Sequence, residues 1–127
     1  MCLSGNVPFA LLDLDVVRVA VMSQAALPMT NKSALGVTDE QVEAGRAAAK
    51  SRAAILYYRF SGDSTSPPER LAAFKARVPE IEEHELPPQR PGAHSVLALE
   101  YSDKRKDDAT NLAVERIITV LKERLGS

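Results

Sequence analysis

Tryptophan is absent from this chain, and three phenylalanines with three tyrosines make up all of its aromatic content, 5% of 127 residues. So few rings leave little on which nucleobases could stack. An excess of one charge is missing too. The 16 basic and 17 acidic side chains give a net charge of -1, too weak a field to gather phosphates or anionic lipid, so neither nucleic acid nor a membrane surface is an expected partner. No stretch reaches the roughly 18 apolar residues of a membrane span, and the start lacks the basic-then-apolar pattern of an export signal. The expected location is therefore cytoplasmic. A single cysteine, Cys2, can neither close an internal disulfide nor build a thiolate cluster, and the two histidines, His84 and His94, do not share a helical turn. No metal site is expected.

What is present is an ordinary globular composition, 45% apolar and 26% charged, in a length that fits one domain. Its elements alternate. Leu3 to Leu14 reads as a helix that Pro8 would bend, and Val16 to Met22, apolar and β-branched apart from Arg18, reads as a strand covered on both faces. Ser23 to Val37 reads as a loop. Thr38 and Gln41 have capping-box spacing and open a helix running to about Lys50, with a small-residue face at Ala44, Gly45, Ala47 and Ala48. Ala53 to Phe60 is the best strand candidate, with Tyr57 and Tyr58 expected in the core.

Ser66, Pro67 and Glu69 look like a helix start, with Leu71, Phe74 and Val78 as the buried stripe. Glu80 to Leu86 is too charged for a central strand and is placed at an edge, with His84 exposed. Pro87 to Gly92 is a loop, and the mixed-sign run Asp103 to Asp108 a solvated turn. Asp108 to Leu125 is an amphipathic helix with Val114, Ile117, Ile118, Leu121 and Leu125 on one side and Gly126 as its stop. Such alternation predicts an α/β layered fold, a mostly parallel sheet flanked by helices, as one domain over residues 1–127.

Three residues carry the candidate chemistry. Cys2 lies at the start of the first helix, where unpaired amides and the positive end of the helix favour thiolate over thiol, and the amide of Leu3 is placed to donate to a developing oxyanion; taken alone, it reads instead as an inert cysteine in a frayed terminus. Asp63 follows the strand Ala53 to Phe60, at the carboxyl edge where open α/β sheets place their ligands; it could orient an imidazole, or serve only as a turn residue that binds nearby amides. His94, in a glycine-flanked loop, could act as a base from the same edge, or be a solvated surface residue. Nucleophile, acid, base is the chain order of α/β-hydrolases.

MCLSGN, DVVRVAVMSQAALP, RFSGDSTSPPERL, AHSVL and NLAVERIITVLKERL together resemble the carboxyl-terminal half of the dienelactone hydrolase family, α/β-hydrolases with a cysteine nucleophile in a Gly-x-Cys-x-x-Gly elbow. Cys2 and Gly5 match that elbow, and the glycine expected before Met1 does not occur. The resemblance implies Cys2 as nucleophile, Asp63 as acid, His94 as base and the Leu3 amide in the oxyanion hole. It implies hydrolysis of small-molecule lactones or related esters through an acyl-cysteine, with no metal or organic cofactor. It also implies a truncated domain that lacks the amino-terminal strands, with weak or no activity. The alternative is a non-catalytic α/β module that self-associates or binds a partner through an exposed sheet edge.

Overall fold

The computed structural model describes residues 2–105 and 108–126. Its centre is a three-stranded, all-parallel sheet in the order β1 (Val19–Ser23), β2 (Ala54–Phe60), β3 (Glu82–Leu86). The registers align Val19 with Ala54 and Leu56 with Glu82. Parallel neighbours need crossovers, and helices α1 (Val7–Ala10), α2 (Asp39–Ser51), α3 (Pro68–Arg77) and α4 (Ala109–Leu125) cover the two faces. This is the expected α/β architecture.

Period-two alternation along β2 divides the core. Ile55 and Tyr57 point to one face, packing with Phe9, Leu12, Met22, Leu71 and Phe74, while Leu56, Tyr58 and Phe60 meet Val96, Ala113 and Val120 on the other. Tyr57 and Tyr58 are fully buried, as expected, and desolvation pushes the Tyr58 phenol up to about 12.

Several expectations need correction. Leu3 to Leu14 is not one helix: a tight turn at Cys2–Ser4, α1, and a second turn at Leu11–Asp13 succeed one another. Pro8, in the first turn of α1, supplies no amide, and the Leu11 amide ends the element on Val7 and Phe9 carbonyls. β1 begins three residues later than expected, because the Val17 amide is taken by the Leu14 carbonyl in a turn and Val16 is 80% exposed. α3 is capped at Pro67, not Ser66, since the Ser66 backbone is engaged elsewhere: its amide donates to Asp63 Oδ1 and its carbonyl accepts from Arg59. His84 is half-buried rather than exposed, stacking on Tyr58 with centroids 4.5 Å apart and meeting Glu82 at 2.7 Å.

On α4 the contact face is Ala113, Ile117 and Val120, while Ile118, Leu121 and Leu125 face outward, because no described element covers that side. The α4 ends are as expected, with Asp108 accepting from the Asn111 amide and Gly126 left-handed at φ 74°. The Thr38–Gln41 capping box of α2 is present in both directions. Within the run Asp103 to Asp108, residues 106 and 107 lie outside the described residues, as does Met1, and Arg105 is tied to Asp108 and to the Glu100 carbonyl.

β3 is an edge strand whose burial alternates, as its charge pattern predicts. The other edge is β1. The Arg18 carbonyl and the Gln24 amide bond to β2, so the even-numbered positions face the neighbour and Val19 and Val21 turn their backbone groups outward.

Candidate functional site

All three strands run the same way, so the segments that follow them gather at one carboxyl rim. Behind β2 comes Asp63, 8% exposed, reached through Gly62 in a left-handed conformation at φ 75°. Behind β3 comes the loop that carries His94. The two side chains meet across 31 residues of sequence: His94 Nδ1 lies 2.5 Å from Asp63 Oδ2. An ionised carboxylate can only accept, so this contact puts a ring proton on Nδ1, and in the neutral imidazole Nε2 then carries the lone pair. His94 Nε2 is buried and has no hydrogen-bond partner among the described residues.

Asp63 does both things its sequence context allows. Its Oδ1 accepts from the amides of Thr65 at 2.9 Å and Ser66 at 3.3 Å, a local turn bond, while Oδ2 holds the imidazole. The turn thus fixes the carboxylate independently of the histidine. On the histidine side, Arg90 Nη2 pairs with buried Glu100 at 2.7 Å and closes the loop around His94. A cavity of about 320 Å³ opens at this pair, walled by Asp63, Ser64, Thr65, Arg90, Pro91 and His94. A second, of about 210 Å³, adjoins it at Ser64 and Thr65 and reaches Ala26, Lys32 and Arg70.

Cys2 is brought to the same rim from behind β1. Its carbonyl accepts from the amides of Gly5 at 3.0 Å and Ala26 at 3.1 Å, and Ala26 lies three residues past the end of that strand. Gly5 makes the approach possible, since a Cβ there would sit 2.6 Å from the Ala25 Cα. The Cys2 backbone is left-handed at φ 55°, a conformation that L-residues other than asparagine and aspartate rarely adopt. Half-buried Cys2 makes no hydrogen bond to His94 and is not a wall of either cavity. Leu3 follows in the same turn, its side chain 59% exposed, with a first-turn amide that has no intrahelical partner.

Two buried arginines organise the rim, and neither stands out from residue spacing alone. Arg59 in β2 is 1% exposed and donates to the carbonyls of Ser66 at 2.8 Å and Asp63 at 3.3 Å, as well as to Glu85. Arg70 in α3, also 1% exposed, donates to the carbonyls of Ala25, Pro28, Asn31 and Ala34, fixing the long loop behind β1. The signal for Arg59 was a cation inside an otherwise apolar strand. For Arg70 the sequence offers none, because arginine on a helix is ordinary.

Among the described residues no group of three or more His, Cys, Asp or Glu side chains could hold a metal ion, and no helix is long and apolar enough to cross a membrane. Fold and rim together define a parallel α/β protein with a carboxylate-oriented histidine at the sheet's carboxyl edge. No family model, curated protein or solved structure matches this chain.

Proposed function

We propose that this chain is a dienelactone hydrolase-like cysteine hydrolase acting on lactones or related esters. The observation that carries the reading is the Asp63–His94 contact, which orients the imidazole by Nδ1 and leaves Nε2 buried and unpartnered among the described residues, the position a general base needs. The left-handed backbone of Cys2 supports it, since a nucleophile elbow presents its side chain on a strained turn.

In this reading Nε2 takes the thiol proton and the thiolate attacks the ester carbonyl, with the Leu3 amide donating to the oxyanion. The C–O bond breaks as the alkoxide recovers the proton from the imidazolium. Water, deprotonated by the same Nε2, then cleaves the thioester and releases the acid. Asp63 stabilises the imidazolium in both halves. No metal or organic cofactor takes part. Turnover is expected to be slow, because Cys2 makes no hydrogen bond to His94 and walls neither cavity, so the thiol must shift to meet its base.

Hydrolysis of p-nitrophenyl acetate and of a simple aromatic lactone by the purified chain is the test. Activity that vanishes in Cys2→Ala and His94→Gln, with an acyl adduct on Cys2 seen by mass spectrometry, supports the proposal. Activity unchanged in Cys2→Ala refutes it. A second reading, a non-catalytic module that self-associates, is favoured by the open outer edge of β1, with exposed Leu3, Val7, Leu11 and Leu14 in the preceding segment. Light scattering on the same preparation decides for it if an inert thiol accompanies a stable dimer.

A further inference from the structure

We infer that Arg59 is a positioning residue for the Asp63–His94 pair, an inference that deepens the hydrolase reading above. A guanidinium buried to 1% exposure in a strand needs its donors matched, and here two are spent on one short loop. Nε donates to the Ser66 carbonyl at 2.8 Å and Nη2 to the Asp63 carbonyl at 3.3 Å, so both ends of the segment that presents the carboxylate are pinned to β2. Nη1 meets Glu85 of β3, the strand that leads into the His94 loop. From inside, Asp63 Oδ1 closes the same loop on the Thr65 and Ser66 amides.

Asp63 therefore has little freedom to rotate or retreat, and Oδ2 is left pointing at Nδ1. Arg59 does not touch the imidazole. Its effect passes through the loop backbone, and this needs the planar fork, because an ammonium is a single point that cannot span two carbonyls in fixed geometry.

The experiment reads the low-field proton resonance of the His94 Nδ1–H, assigned by its absence in His94→Gln, with urea unfolding recorded on each variant. In folded Arg59→Lys the resonance should move upfield and its exchange with water should accelerate about tenfold or more. Esterase kcat should fall about 10- to 100-fold with KM held, in line with the cost of an ångström of misplacement. Glu85→Gln removes the outer ion pair but leaves both loop bonds, so its resonance should stay in place.

An unchanged resonance in folded Arg59→Lys overturns the inference. So does an equal displacement in both variants, since a general loosening of the β2–β3 seam would then be the cause. Arg59→Gln serves the same comparison should the lysine variant fail to fold. The resonance is read without substrate, so a native chain that hydrolyses no ester would refute the hydrolase reading and leave this test standing.

Discussion

Replacing Gly5 by alanine adds one methyl group at the closest backbone approach near Cys2. The new Cβ would meet three backbone atoms at once, Ala25 Cα at 2.6 Å, Ala25 N at 2.9 Å and Ser23 O at 3.0 Å. None of these is the end of a flexible side chain. Ordinary contact begins near 3.4 Å, so the Cys2 turn must retreat from β1 by about 0.8 Å. Gly5 is not among the left-handed glycines, so the cost is steric, about 1–3 kcal/mol for overpacking a close contact. The retreat also stretches the bond from the Ala26 amide to the Cys2 carbonyl, which ties the Cys2 backbone to the segment after β1. On the proposed hydrolase reading, ester turnover should therefore fall about 100-fold, beyond what the lost stability explains.

The assay pairs urea unfolding with ester hydrolysis, using Gly126→Ala as control. Gly126, at the end of α4, is left-handed at φ 74° with open space around its Cβ position, so alanine there costs about 1–2 kcal/mol of backbone strain and no displacement of Cys2. If Gly5→Ala unfolds at the native urea concentration, the packing argument is wrong. If it is destabilised as expected but hydrolyses esters at the native rate, the link between this contact and the nucleophile is wrong.

Arg70→Met should destabilise by about 3–5 kcal/mol in urea, because it strands the carbonyls of buried Ala25 and of half-buried Pro28 and Ala34, while Asn31 is exposed; a loss under about 1 kcal/mol would show that the loop is held by other means. At the β3–α4 seam, two bonds from Arg116 at 2.8 and 2.7 Å hold Glu82 at about 2, well below its ordinary 4.5. A depressed carboxylate stabilises the fold above its unfolded value and loses that contribution as pH falls from about 4.5 to 2. Both side chains are over a third exposed, so solvent screening reduces the effect of Glu82→Gln at pH 7 to about 0.5–1 kcal/mol. The difference from native should shrink to nothing near pH 2, and a pH-independent difference would contradict the assigned cause.

Periodicity and punctuation make most of this architecture legible in the sequence. The apolar run in AAILYYRF, the Thr38–Gln41 box, the charged edge strand and the Asp108 to Gly126 helix depend on local chemistry, and each formed within a residue or two of its expected bounds. Asp63 and His94 were legible as residue types just past two strands. Less of the rest could be read, because it depends on what lies across space. A proline-bearing apolar stretch at 3–14 fits a helix until tertiary packing breaks it into turns, and the apolar stripe of α4 has two sides, of which the sheet selects one.

Sequence alone determined the alternation of helix and strand, the parallel sheet, and the absence of any charge field for polyanions, since these follow from spacing and composition. Only the tertiary structure decided that Oδ2 meets Nδ1 while Oδ1 serves its own turn, that Arg59 ties down the carboxylate's loop, and that Gly5 lets Cys2 reach the rim. Contacts between residues tens of positions apart depend on how the layers close on one another, and no local pattern in the chain encodes that distance.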